Sequence, residues 1–166
     1  MGVLSKVVLR FERAFWPEGA NFSYLSKPRG RLPLVVNWHH FSGKPALVAF
    51  AAGSQARRRD AMTRQQACDD VLGELRQMLG RRLPDPTGVL VTRWSQDPLA
   101  LGSYSAVPVG CNSQLREALG RPEGRLCFAG EATTTEQPAC VPGAWLTGRR
   151  AAAETLAALG RPASPR

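Results

Sequence analysis

One lysine stands in a segment that is otherwise typical of a buried β-strand. Lys6 lies within Val3–Phe11, which is rich in β-branched and apolar residues, and Ser5, Val7 and Leu9 alternate with it. An ammonium group is costly to bury without a partner, so a polar cavity beside Lys6 would account for its position. The alternative is that Lys6 faces solvent from an edge strand.

A second group of residues combines a strand, a loop and the start of a helix. Arg125–Gly130 is a short buried-strand pattern, Glu131 follows it, and a helix is predicted over Gly143–Leu159. Unpaired N–H groups at a helix N-terminus favour a bound anion. Small residues at the start of this helix would let another group approach its backbone closely. The same pattern also fits an ordinary strand–loop–helix packing unit.

An antiparallel sheet must position the lysine. Further short strand patterns occur at Asn21–Leu25, Leu34–Trp38, Ala46–Phe50 and Gly88–Trp94, and turn-forming residues separate the first three. A helix lies before the last of these, opened by a capping box at Thr63 and Gln66 and ended by Gly80. We expect its apolar face to cover the sheet: Ala67, Val71, Leu72, Leu75, Met78 and Leu79.

Composition limits the class of protein. The 166 residues are 43% hydrophobic and 21% charged, which suits one globular unit or pieces of two. The longest apolar run, Ala46–Ala52, is far shorter than a membrane span, and no secretory signal follows Met1. We therefore expect a cytoplasmic protein with no membrane partner.

The positive charge does not by itself indicate nucleic-acid binding. There are 22 basic and 13 acidic residues, a net charge of +9. The basic residues are mostly dispersed arginines without interleaved aromatic residues, so we do not expect nucleic acid as a partner. Binding of an anionic partner through these arginines remains a further hypothesis.

No metal site is predicted. The four cysteines lack the short C-x-x-C spacing, and His39 and His40 are adjacent, so that in a strand they would point to opposite faces. Reduced structural cysteines are the favoured interpretation.

Three sequence blocks follow one another in the order and at the spacing of one enzyme family. The first is Lys6–Phe11 with Phe15–Pro17, and the second is Val91–Trp94 with Asp97–Pro98 and Gly102–Ser105. The third is Phe128–Thr133 with Pro138–Ala139, Gly143–Ala144, Gly148 and Arg150–Ala151. Over residues 2–158 the chain resembles the C-terminal part of FAD-dependent, flavin-containing amine oxidases. The resemblance is to the branch of polyamine oxidases and flavin-type histone lysine demethylases.

The resemblance implies a reaction. Such enzymes move a hydride from the carbon next to an amine nitrogen to flavin N5; water hydrolyses the resulting imine, and oxygen usually reoxidises the flavin. Lys6 corresponds to the family's lysine that holds a water near N5. Trp94 and Tyr104 correspond to aromatic residues lining the flavin and the amine, where they would align the amine. Both could instead be ordinary core residues.

The resemblance also assigns contacts to FAD. Gly130, Glu131, Cys140, Val141 and Ala144 correspond to positions near the ribityl chain and the isoalloxazine ring, where the helix N-terminus would stabilise the charge of reduced flavin. This sequence departs from the family at three positions. Cys140 replaces a common threonine, Pro142 removes one N–H donor, and Ala106 replaces an aromatic residue.

The fold class that follows is mixed α+β and α/β. Residues 1–124 would form part of a mainly antiparallel substrate domain with a covering helix, including a flavin-facing loop at 94–112. Residues 125–160 would supply the last strand and helix of an FAD-binding domain, and 161–166 a tail.

The sequence contains no G-x-G-x-x-G, so the βαβ unit that holds the ADP half of FAD is missing. We therefore expect a C-terminal fragment or truncated form that does not hold FAD alone. Its expected partners are an amine, oxygen and an N-terminal FAD-binding part. The alternative is a non-catalytic interaction module that retains part of the fold.

Overall fold

A five-stranded antiparallel sheet organises the first part of the chain in the computed structural model, which describes residues 1–17, 22–23, 34–80 and 82–161. The strands lie side by side in the order β2-β3-β4-β1-β5. Their bounds are β1 Leu4–Arg10, β2 Phe22–Ser23, β3 Leu34–Asn37, β4 Ala46–Ala52 and β5 Gly88–Val91. The predicted antiparallel sheet is confirmed, although part of the predicted strand Asn21–Leu25 lies outside the described residues.

Strand β1 lies inside this sheet rather than at its edge. It pairs with β4 on one side and with β5 on the other, so the edge-strand alternative for Lys6 is wrong. Ser5, Val7 and Leu9 are buried, whereas Lys6 lies on the other face and is half-buried. The alternation predicted from the sequence is therefore present.

Helix α3, Arg64–Leu79, covers the buried face of the sheet. Thr63 and Gln66 form the predicted capping box: the Thr63 hydroxyl accepts from the Gln66 N–H at 3.2 Å, and the Gln66 side-chain oxygen accepts from the Thr63 N–H at 2.9 Å. Gly80 ends the helix with a positive φ of 62°. The buried residues of α3 pack in one core with β1, β3 and β4: Ala67, Cys68, Val71, Leu72 and Leu75.

Two short helices that precede α3 in the chain were not predicted. Helix α1, Trp38–Ser42, begins at the last residue of a predicted strand, and α2, Gly53–Asp60, follows β4. Helix α2 contains Arg57, Arg58 and Arg59 and has no apolar stripe of the usual spacing, so periodicity could not reveal it. Instead, Arg58 and Arg59 bind Asp70 of α3 at 2.5 and 2.9 Å.

The chain divides into two compact units, Gly2–Ser103 and Tyr104–Arg166 together with Met1. The second unit contains α4, Leu115–Leu119, and α5, Val141–Ala158. Helix α5 thus begins two residues before the predicted Gly143. The assignment of residues 1–124 and 125–160 to two domains of an oxidase remains a prediction.

The predicted strand Arg125–Gly130 is wrong. Among the described residues this segment has only an isolated bridge, between Glu123 and Leu126. A strand needs a neighbouring backbone to satisfy its N–H and C=O groups, and no described segment forms a ladder with this one.

The four cysteines carry free thiols, and they differ in burial. Cys68 lies in the core, where burial raises the pKa of its thiol. Cys111 and Cys140 are exposed, so only Cys68 has the buried position expected of a structural cysteine. Within the described ranges, no helix combines the length and the apolar character needed to cross a bilayer.

The link between α2 and α3 generates a prediction about pH. Burial alone would raise the pKa of Asp70, but the hydrogen bonds and charges of Arg58 and Arg59 outweigh it and hold that pKa below its ordinary value. The resulting stabilisation is present above the unfolded pKa of about 4 and is lost as the pH falls through the lower folded pKa. Asp70→Asn should lower the free energy of unfolding at pH 7 by about 3 kcal/mol, because Arg59 is deeply buried.

Urea unfolding at pH 7 and at several values below pH 4 would measure both effects. The neighbouring exposed Asp69 supplies the control, since Asp69→Asn should change stability by less than about 0.5 kcal/mol. Equal losses in the two variants, or an unchanged acid dependence in Asp70→Asn, would contradict the assignment.

Candidate functional site

Lys6 lies beside an apolar recess on the open face of the sheet. It is directly opposite Phe50 of β4, and its Nζ is 5.7 Å from the centre of the Phe50 ring. The recess has a volume of about 310 Å³ and is lined by Lys6, Val8, Val36, Trp38, Val48 and Phe50. The expectation of a polar cavity is therefore wrong for this unit, because the described residues that line the recess beside Lys6 are valines and aromatic residues.

The backbone of Lys6 is fixed by Thr92, just after β5. The Lys6 N–H donates to the Thr92 hydroxyl at 2.8 Å, and the Thr92 N–H donates to the Lys6 carbonyl at 3.0 Å. Trp94 follows two residues later and opens a 3₁₀ turn, Trp94–Gln96, with 45% of its surface exposed. The structure thus brings the Lys6 strand and the segment leading to Trp94 together.

In the second unit, Glu131 holds two distant segments with one carboxylate. Its Oε1 accepts from the Ser105 N–H at 2.8 Å, and its Oε2 accepts from the Ser105 hydroxyl at 2.5 Å and the Ala139 N–H at 2.7 Å. Arg116 donates to the Ser105 hydroxyl, and its Nη1 is 3.7 Å from Glu131 Oε2. The carboxylate is therefore committed to partners within the chain.

These contacts set the charge of Glu131. Burial by itself would raise its pKa, but the hydrogen bonds from Ser105 and Ala139 and the charge of Arg116 lower that pKa below its ordinary value. Glu131 is consequently an anion at neutral pH, and it fixes the segment that leads into helix α5.

The segment around Gly130 is held by side chains of α5. The Gly130 N–H donates to the Thr147 hydroxyl at 3.0 Å. Arg150 donates to the carbonyls of Phe128 and Thr133, at 3.0 and 3.2 Å. Gly130 has a φ of 136°, and a Cβ there would meet no atom within 4 Å, so its backbone is both unusual and open to approach.

The N-terminus of α5 carries three of the predicted contact residues on its surface. Cys140 is the N-cap, and the side chains of Cys140, Val141 and Ala144 are exposed. Pro142 lies in the first turn, where a missing N–H costs little. The backbone N–H groups at this end remain a candidate site for negative charge.

Gly143 serves a different purpose from the one expected. It is buried, and a Cβ on it would lie 2.0 Å from the carbonyl oxygen of Gln137. The group that closely approaches this backbone is therefore the chain's own preceding loop.

The predicted site residues divide between the two units. Lys6 and Trp94 belong to Gly2–Ser103, whereas Tyr104, which is half-buried, and all five predicted FAD contacts belong to the second unit. The structure adds Ser105, Arg116 and Thr147, to which no role was assigned. A buried arginine among polar residues gives no periodic signal, so its partners could not be read from the sequence.

The chain is similar to known proteins over most of its length. The family described as "Flavin containing amine oxidoreductase" matches residues 1–156. Lysine-specific histone demethylase 1 homolog 2 of Arabidopsis thaliana is 39% identical over 163 residues, covering 93% of this chain and 22% of that protein. Polyamine oxidase 2 of Arabidopsis thaliana is 36% identical over 152 residues, covering 92% of this chain and 31% of that protein.

A solved structure shares the fold. Putrescine oxidase, wild type with bound putrescine, superposes with a TM-score of 0.76 at 22% identity, covering 95% of this chain and 35% of that one. The similarities are those of a flavoprotein oxidoreductase. The chain belongs to the flavin-containing amine oxidoreductase family.

Gly143 provides a prediction with an internal control. Alanine normally stabilises a helix relative to glycine by about 0.5–1 kcal/mol. Gly143→Ala should instead lower the free energy of unfolding by about 1–3 kcal/mol, because its methyl group would overlap the Gln137 carbonyl.

Gly148→Ala in the same helix should be stabilising, since a Cβ there meets nothing within 4 Å. Chemical denaturation of both variants measures the difference. If Gly143→Ala were as stable as Gly148→Ala, the close contact with Gln137 would be refuted.

Proposed function

We propose that this chain contributes to an FAD-dependent amine oxidase, in which Lys6, Trp94 and Tyr104 act at the amine and the flavin. The observation that carries the proposal is the position of Lys6, half-buried on an interior strand beside an apolar recess. The family match over residues 1–156 supports it. The chain spans only 22% and 31% of the two relatives described above, so an activity of the whole protein is part of the proposal.

The second unit suits an anionic cofactor. We propose that FAD contacts Gly130, Glu131, Cys140, Val141 and Ala144. Pro142 has no N–H and Ala144 donates its own to the Cys140 carbonyl, so the first turn of α5 offers the N–H groups of Val141 and Gly143, and a helix N-terminus stabilises a nearby negative charge by about 0.3–2 kcal/mol. When bound, FAD supplies the hydride acceptor that turns an amine into an imine.

Glu131 would contact FAD through its backbone rather than its carboxylate. Both carboxylate oxygens already accept hydrogen bonds from Ser105 and Ala139. The role of the side chain is then to hold the loop before α5 in place, while the open backbone at Gly130 leaves room for the cofactor.

The recess indicates what the protein chain does for the substrate. Trp38, Phe50 and three valines offer an apolar surface that favours the alkyl part of an amine, and the Lys6 ammonium offers the N–H donors that would hold one ordered water. We propose an uncharged small-molecule amine as the substrate and oxygen as the final oxidant. The sequence has no G-x-G-x-x-G, so we propose that a dinucleotide-binding segment outside these 166 residues binds the pyrophosphate.

The alternative of a non-catalytic interaction module gains no support from the comparisons, whose relatives are named as oxidases and demethylases. It still makes a distinct prediction, because such a module would fold without ever binding flavin.

A chimaera tests the proposal. Residues 1–156 would replace the matching region of Polyamine oxidase 2, which supplies the remaining part of an oxidase. We expect the purified chimaera to show flavin absorption and to release hydrogen peroxide with an amine. Lys6→Met should slow anaerobic flavin reduction by about a hundredfold, because the hydrogen-bond donor that holds the ordered water in position is lost, while the flavin content stays the same.

Lys44→Met, which changes an exposed lysine in a turn, is the control and should reduce at the parent rate. A colourless but folded chimaera would argue against the oxidase function. A yellow chimaera whose Lys6→Met variant reduces at the parent rate would remove only the role given to Lys6.

A further inference from the structure

We propose that Asp60 is a positioning residue that fixes the turn carrying Trp94. The positioning itself does not depend on the proposed function, but its importance for catalysis rests on it. Asp60 is the last residue of α2 and is only 3% exposed. Its Oδ2 accepts two hydrogen bonds from Ser95, at 3.1 Å from the N–H and 2.5 Å from the hydroxyl. Ser95 is the residue directly after Trp94.

A buried carboxylate is a costly way to stabilise a fold. Removing it from water is unfavourable, and Oδ1 of Asp60 is buried with no hydrogen-bond partner among the described residues. An apolar residue would pack here at lower cost, but it could not accept both hydrogen bonds of Ser95. The position of the carboxylate is therefore explained by the turn that it holds.

The residue before Trp94 is tied to the same part of the chain. Arg93 donates from Nη2 to the carbonyl of Met62 at 2.7 Å. Residues on both sides of Trp94 are thus anchored to the segment 60–62 at the end of α2. Thr92 is in turn bound to Lys6, so the residues on both sides of Trp94 are anchored at three positions, Thr92, Arg93 and Ser95.

The Trp94 side chain, unlike the residues around it, has no anchoring contact described above. Its backbone is held from both sides, but 45% of its surface is left exposed. A rigid backbone under a half-exposed aromatic ring is the arrangement expected of a side chain that must present one face to a ligand. Helix α2, which contains none of the predicted site residues, thereby sets the direction of Trp94.

The test observes Trp94 directly in the full 166-residue chain. The four tryptophans would be replaced biosynthetically by 5-fluorotryptophan, and the Trp94 signal in the ¹⁹F NMR spectrum assigned with Trp94→Phe. Asp60→Ala should shift and broaden the Trp94 signal while the signal of the buried Trp16 stays in place. Asp60→Asn should restore the parent signal, since one amide oxygen can accept both bonds from Ser95.

Two further variants complete the test. Asp69→Ala, at an exposed acidic residue, should leave the Trp94 signal unchanged. Ser95→Ala removes one of the two hydrogen bonds and should shift the Trp94 signal by less than Asp60→Ala does. If Asp60→Ala fails to fold, Ser95→Ala decides the matter.

A Trp94 signal unchanged in Asp60→Ala, or in Ser95→Ala when only that variant folds, overturns the positioning role. An Asp60→Asn variant that behaves like Asp60→Ala overturns the explanation by hydrogen-bond acceptance. The measurement needs no flavin and no amine, so its result is independent of the Lys6 experiment. A displaced Trp94 signal together with a colourless but folded chimaera would leave the positioning role intact and refute only the proposed function.

Discussion

The interior position of β1 is the constraint on which the first unit depends. Both backbone edges of this strand are used in ladders with β4 and β5, so its side chains can point only to the two faces of the sheet. One face packs against α3 in the apolar core, where a charged side chain would be costly, and this leaves the other face for Lys6. On an edge strand one side of the lysine would border solvent, whereas here strands β4 and β5 lie on both sides of the strand that carries it. The recess is consequently a product of sheet topology as much as of the residues that line it.

In the second unit, side chains rather than a strand ladder hold the backbone in place. Its segment at residues 125–130 has no described strand beside it, and side chains of α5 instead bind the Gly130 N–H and the Phe128 carbonyl. Arg150 and Thr147 each bind the backbone of this region. Charged and hydroxyl side chains thus fix the backbone that leads into α5, where a small shift would move the first turn of the helix.

The sequence predicts the parts of this structure that have local causes. The alternation in β1 and the capping box at Thr63 follow from residues a few positions apart, and both are present. Helix α2 escaped prediction because its buried face includes Arg59 and Asp60 rather than an apolar stripe. The partners of Glu131 are 8 and 26 residues away, and such pairings depend on the whole fold. Family resemblance could assign a place to Glu131, but not the carboxylate contacts that occupy it.

The recess depends on the length of the connection before β4 as well as on the residues that line it. Phe50 faces Lys6 of β1 on one side and Leu34 of β3 on the other, and the length of the connection from Trp38 to Pro45 restricts the register between β3 and β4. An insertion or deletion of one residue there would either be absorbed by a bulge or place Ala49 or Ala51 opposite Lys6 and turn the side chains of β4 to the other face. The aromatic wall of the recess would then be lost without any change to the residues that form it. Length variation in this loop is thus a route by which related chains could alter the shape of the recess while keeping the same lysine.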